Sequence, residues 1–150
     1  MVRQATADER TPRTIVPRVA PVSLVGDRTA NALAPTLRRV CLDHGRNLTV
    51  STLVRFAAQA VPHGSVVVLA DLPLEVVLAA APEVQRAGGR TLVVPPFAHS
   101  VPRAAAEQLQ RANATLVPVQ RLRLPMTPDG KSPSAAGYAT LAGAIWTYLR

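Results

Sequence analysis

Short apolar runs alternate with amphipathic stretches along most of the chain. Five runs rich in Val, Leu and Ala have the composition of buried strands, namely residues 22–25, 48–50, 65–70, 90–94 and 114–118. Helical spacing of apolar positions occupies residues 33–44, 52–61, 74–87, 101–113 and 134–149. Strands separated by helices indicate repeated βαβ crossovers. The pattern therefore predicts an α/β fold, a three-layer α/β/α sandwich around a parallel sheet of about five strands.

The first twenty residues differ from the rest of the chain. Arginines recur between threonines and prolines there, and no apolar period is present. Such a segment buries too little apolar surface to form its own core. The sequence therefore predicts two parts, an extended N-terminal arm over residues 1–20 and an α/β domain over residues 21–150. We expect the arm to bind a protein partner, in a larger assembly or a homo-oligomer.

Composition narrows the classes of function. The net charge is +8, which favours weak contacts with nucleic acid or another anionic surface, but aromatic residues are only 3% of the chain and few are left for base stacking. The single Cys41 excludes an internal disulfide, and we expect it to be a small residue of the protein core that lies on a helix. No apolar run reaches the roughly 18 residues of a membrane span, and no signal peptide is evident. We therefore expect a cytoplasmic or virion location.

Ligands of open parallel sheets bind beyond the carboxyl ends of the strands. The residues that follow the predicted strands there are Asp27, Arg28, Asp71, Leu72, His99, Asp129 and Ser132. His44 and His63 fall at the opposite ends of their elements, so we expect them away from any site. The chain has no paired metal-ligand spacing, phosphate loop or dinucleotide fingerprint, and we predict neither a metal nor a cofactor.

Several segments carry a resemblance to a known family. They are LVGDRTANAL at 24–33, the strand and turn at 66–73, GRTLVVPP at 89–96, ATLVP at 114–118 and DGKSPSAAGY at 129–138. In this order they resemble the blocks of the SGNH (GDSL-like) hydrolases, whose closing block reads D-x-x-H-P-S-x-x-G-Y. The resemblance covers about residues 22–150 and implies a flavodoxin-like arrangement of the α/β sandwich. It suits a degenerate, phage-encoded member of the family.

The resemblance also implies that the catalytic groups are missing. The serine position is occupied by Arg28, the oxyanion asparagine position falls near Leu72, and the histidine position is Ser132, whereas the aspartate remains as Asp129. The family's second-block glycine has no clear match, although Gly45 is near. Arg28 has no nucleophilic atom, and Ser132 cannot act as a base near neutral pH. The resemblance therefore implies a pseudoenzyme with no catalytic residues and a degenerate cleft.

Three hypotheses about function remain open. The first is a noncatalytic structural or binding subunit of a phage or phage-like particle, in the capsid or tail, anchored by its arm. The second is a small esterase or acetylhydrolase with a rearranged site around His99, oriented by Asp71 or Asp129. The third is a carbohydrate- or anion-binding module that uses the degenerate cleft. Arg28 is expected either to plug that cleft by pairing with Asp27 or Asp129, or to bind an anionic ligand.

A second, shorter similarity is to the ribokinase-like sugar kinases. It covers residues 72–81, Gly88-Gly89 and residues 93–96. The anion-hole motif and catalytic aspartate of those kinases are absent from this sequence. The simpler expectation for Gly88-Gly89 is the end of a helix.

Overall fold

The structure, a computed structural model, describes residues 21–97 and 100–149. The predicted arm over residues 1–20 and the candidate His99 lie outside the described residues. The strands are β1 (Val22–Val25), β2 (Leu48–Ser51), β3 (Val66–Ala70), β4 (Arg90–Val94) and β5 (Ala114–Leu116). The helices are α1 (Arg28–Asp43), α2 (Leu74–Arg86), α3 (Arg103–Arg111) and α4 (Ala135–Leu149).

All five strands are parallel and form one sheet in the order β2-β1-β3-β4-β5. The chain runs from β1 outward to β2 and then returns to the other side of β1 to form β3. The strand order reverses at that point, which leaves a crevice beyond the carboxyl ends of β1 and β3. The predicted α/β class and parallel sheet are confirmed.

Two apolar cores flank the sheet, because successive side chains of a strand point to opposite faces. One core joins α1 and α4 to the face that carries Leu24, Val68 and Leu92. The other core joins α2 and α3 to the face that carries Val67, Leu69 and Val93. The helices therefore cover both faces, and the architecture has three layers. No helix in the described ranges is long and apolar enough to cross a bilayer.

The helix predicted over residues 52–61 is wrong. One turn follows β2, where the Phe56 amide donates to the Thr52 carbonyl, and a 3₁₀ turn then spans Ala58–Ala60. Phe56 and Ala58 pack on the α2/α3 core without forming a continuous helix. Val61 is extended before Pro62, as the residue before a proline usually is. The apolar residues that gave this segment its helical spacing thus pack on the core without forming a helix.

Helix α1 also differs from its prediction, because it begins at Arg28 rather than at Leu33. Pro35 consequently lies inside the helix and not in its first turn. The buried Thr29, Ala30 and Leu33 extend the packed face of the helix to its first turn. Packing against the sheet therefore sets this helix start.

Two hydroxyls in the α2/α3 layer are buried without a hydrogen-bond partner in the described part of the chain, Ser65 Oγ and Thr91 Oγ1. Thr91 pairs in register with Val67 and Ala114, which are both apolar. Thr91→Val keeps the shape and removes the desolvated hydroxyl, so we expect the free energy of unfolding to rise by about 1 kcal/mol. Urea denaturation measures the change as a shifted midpoint at constant slope.

The matched control is Thr49→Val on strand β2, where the threonine is exposed. It should change stability by less than about 0.5 kcal/mol. A loss of stability in Thr91→Val would mean that the hydroxyl is bonded in solution.

Candidate functional site

A hydrogen bond joins the segments that follow β1 and β3, at the crevice expected beyond these strands. Thr29, in the first turn of α1, donates its hydroxyl proton to Asp71, with 2.7 Å between Oγ1 and Oδ2. Thr29 is only 7% exposed, although it belongs to the turn that leaves β1. Asp71 follows the last residue of β3. The bond joins residues that are 42 positions apart in the chain.

The backbone of both turns is constrained around this bond. Asp71 has a φ of +55°, a left-handed conformation that non-glycine residues rarely adopt. Its amide donates to the Val94 carbonyl at 2.8 Å, which ties the turn to β4. On the β1 side, a Cβ at Gly26 would lie 2.7 Å from the Ala70 carbonyl oxygen. Only glycine allows the two turns to approach this closely.

Tyr138 brings the closing segment to the same crevice. Burial raises the pKa of the Tyr138 phenol, a hydrogen bond with Thr29 lowers it, and the charge of Asp71 raises it. Tyr138, in the first turn of α4, therefore lies beside Thr29 and Asp71. A hydroxyl, a phenol and a carboxylate meet there, and this set donates and accepts hydrogen bonds.

Arg28 does not form the predicted plug. Its side chain is exposed, as is that of Asp27. The ion pairs between described residues are Arg86–Glu83 and Arg103–Glu107, so Arg28 pairs with neither Asp27 nor Asp129.

Asp129 satisfies its carboxylate within its own loop. Thr127 Oγ1 donates to Asp129 Oδ1 at 2.5 Å, and the Lys131 amide donates to the same oxygen at 3.0 Å. The loop closes on itself, because the Thr127 amide bonds the Ser132 carbonyl and Met126 forms a bridge with Pro133. The Ser132 hydroxyl lies 3.5 Å from Thr127 Oγ1. Asp129 therefore stabilises the conformation of this loop.

Leu72 is 3% exposed and belongs to the α2/α3 core, on the other face of the sheet from Leu24 and Val68. The position that the resemblance assigns to an oxyanion donor is thus occupied by a packing residue. Among the predicted site residues, Asp71 lies at the crevice, where its carboxylate accepts the hydrogen bond from Thr29. The sequence gives only a weak indication that Thr29 belongs to the site, namely that its hydroxyl follows Arg28 in the chain.

The hydrogen bonds of Asp129 predict a pH effect. They favour its charged form and hold the pKa of this carboxyl below its ordinary value. A lowered folded pKa means that the stabilising contribution is present above the unfolded pKa and is lost as the pH falls through the folded pKa. In Thr127→Val the largest of these bonds is removed, so the pKa of Asp129 should rise toward its ordinary value. Carboxyl chemical shifts followed by NMR titration measure this change.

Thr140→Val is the control for that titration, because Thr140 bonds the Ala136 carbonyl within α4. It should leave the midpoint of Asp129 in place. An unshifted midpoint in Thr127→Val would show that the loop bond does not persist in solution.

The opposite edge of the sheet has a separate polar arrangement. His44 stacks on Trp146 with ring centroids 4.1 Å apart, near the end of α4. His63 lies against the Gly88 turn, whose φ of +89° marks the end of α2. Both histidines are therefore remote from the crevice, as expected. Cys41 is buried, and burial raises the pKa of its thiol, which agrees with a core role.

No protein-family model and no curated protein matches this chain. Among residues 21–97 and 100–149, no group of three or more His, Cys, Asp and Glu side chains is placed to hold a metal ion.

Proposed function

We propose that this chain is a noncatalytic, SGNH hydrolase-like domain that acts as a structural or binding subunit. The strand order β2-β1-β3-β4-β5 is that of flavodoxin-like sheets, which supports the proposed fold relationship. The position of Tyr138 beside Thr29 and Asp71 also supports it, because three of the resembling blocks then converge at one crevice.

One observation carries the noncatalytic part of the proposal, the bond from Thr29 to Asp71. Acyl transfer by a hydroxyl needs a partner that removes its proton. The hydroxyl next to the position of Arg28 donates to a carboxylate, and not to the imidazole that serves as base in the SGNH mechanism, within a turn that is tightly packed against β3. Asp129, which would orient the family's base, is bonded by Thr127 and Lys131. The Thr29–Asp71 bond joins the two turns, and the bonds of Asp129 stabilise its own loop.

The partner class that we propose is protein, in a phage-like particle, with residues 1–20 as the anchor. This part rests on the composition of the segment, which lies outside the described residues. A rigid domain with two complete cores suits a subunit that contributes shape and contact surface. The positive charge of the chain adds attraction for acidic partners.

Catalysis is tested with a fluorophosphonate probe and an aryl acetate. The purified chain should be neither labelled nor able to hydrolyse the ester above the buffer rate. Arg28→Ser combined with Ser132→His should introduce measurable hydrolysis if the family assignment is correct. Arg39→Ser with Ser132→His is the matched control and should stay inactive, because Arg39 is an exposed residue farther along α1. Turnover by the unmodified chain would disprove the noncatalytic assignment.

Assembly is tested separately by light scattering of the full chain over a wide concentration range. Higher oligomers, or a stable complex with a particle component, are the expected result. A strict monomer that joins no particle component would count against the structural role.

A further inference from the structure

A small apolar cavity of about 240 Å³ lies between β3, β4 and the start of α2. Its floor is formed by Leu72, Val77 and Val93, which are 3%, 2% and 2% exposed. These three side chains belong to the α2/α3 core, so the floor is held in place by the packing of that layer. Cavities with rigid apolar walls are typical sites for small ligands.

A second cavity of about 350 Å³ adjoins the first and shares Pro95, Ser100 and Val101 with it. Its outer wall comes from the residues after β5 and ends at Gln120 and Arg121. The lining of the first cavity is almost entirely apolar, whereas the lining of the second includes Gln120 and Arg121, which are exposed. The two together have an apolar inner part and a cationic mouth.

Among the described residues that line the two cavities, Arg121 is the one that carries a charge, and none is acidic. Arg121 takes part in neither of the ion pairs formed within the described ranges, since these involve Arg86 and Arg103. Gln120 contacts Ser100 at 3.4 Å, a long bond that a better acceptor would displace. The positive charge of Arg121 and the donor group of Gln120 therefore favour an anionic group at this opening.

We infer that the two cavities form a binding site for an amphipathic carboxylate, a molecule with a short apolar chain and one carboxylate head. The chain occupies the inner cavity against Val77 and Val93, and the head accepts hydrogen bonds from Arg121 and Gln120. Arginine suits this role because its planar fork matches a carboxylate. The site lies on the α2/α3 side of the sheet, beyond the ends of β3, β4 and β5, and it does not depend on the family assignment.

Titration calorimetry of the full chain with octanoate tests the inference, with acetate and 1-octanol as comparison ligands. Octanoate should bind at one site per chain, and acetate should bind at least tenfold more weakly because it lacks the apolar chain. Arg121→Gln should weaken octanoate about tenfold and leave 1-octanol unchanged. Arg111→Gln removes the same charge at the far end of α3, where the arginine is exposed, and should leave octanoate binding unchanged.

A third variant tests the apolar part. Val101→Trp adds bulk at the wall that the cavities share and should reduce octanoate affinity while acetate stays weak. If that variant does not fold by circular dichroism, the arginine pair decides alone, since both arginines are exposed. The inference is overturned if octanoate does not bind, if Arg121→Gln binds it as well as the unmodified chain, or if Arg111→Gln weakens it equally.

Discussion

Gly137→Ala is expected to destabilise the protein by about 3 kcal/mol or more, the range of severe steric overlap in a packed region. A Cβ at Gly137 would overlap the Pro125 carbonyl oxygen and would lie 2.8 Å from Pro133 Cβ. The oxygen cannot move away easily, because it accepts bonds from the Ser134 amide and hydroxyl at 2.9 and 3.1 Å. Ser134 Oγ also accepts a bond from the Gly137 amide at 3.2 Å, which fixes the start of α4 under the loop.

Gly143→Ala is the matched control, since Gly143 lies in the same helix and a Cβ there would meet nothing within 4 Å. Alanine favours the helix over glycine by about 1 kcal/mol, so this variant should be more stable than the unmodified chain. Urea denaturation of both variants should therefore give changes of opposite sign. Changes of the same sign would mean that the closing loop does not pack on α4 as described.

Arg46→Met is the second large effect, an expected loss of about 3 kcal/mol in the free energy of unfolding. Arg46 is 5% exposed and donates from Nη1 to the Leu149 carbonyl at 2.7 Å. Arg90 donates to the neighbouring Tyr148 carbonyl at 2.9 Å. Two cations thus bind the carbonyl end of α4, where the helix dipole favours positive charge. Methionine fills similar volume but cannot donate to the Leu149 carbonyl, which keeps the long 3.4 Å bond from Arg90.

The surroundings of Arg46 lower the pKa of its own guanidinium. Burial lowers the pKa of its guanidinium most strongly, Cys41 raises it and Arg90 lowers it. Arg39→Met on α1 is the control, because that arginine is exposed, and it should change stability by less than about 0.5 kcal/mol. Thermal and urea denaturation measure both variants. An equal, small effect in the two variants would show that Arg46 is not needed to hold the end of α4.

The strands could be predicted closely from the sequence, whereas the helix predicted over residues 52–61 is wrong, and the two cases differ in how far the local pattern restricts the structure. Runs such as the one at β3 are fully apolar and are bounded by turn residues, so only a buried strand suits them. Residues 52–61 have apolar positions that suit either a helix or an irregular segment pressed onto a core. Packing of Phe56 and Ala58 against the α2/α3 layer decided between these, and local spacing does not report such packing.

From the sequence, the candidate site can be assigned to one edge of the sheet but not to particular contacts. The end of each strand marks that edge, and Asp71 directly follows β3 there. The partners of the site residues were not predictable. The family resemblance directed attention to Arg28 and Asp129, whereas the contacts are made by Thr29 with Asp71 and by Asp129 with its own loop.

Local chemistry was sufficient for the sequence of strands and helices, the buried Cys41 and the helix stop at Gly88, because each depends on neighbours along the chain. The burial of Arg46, the bond between Thr29 and Asp71 and the need for glycine at position 137 depend on the folded arrangement. Each of these features joins segments that are distant in sequence. Such contacts arise only after the order of the strands in the sheet has brought the crossovers together, and the same pattern of residues is compatible with other orders.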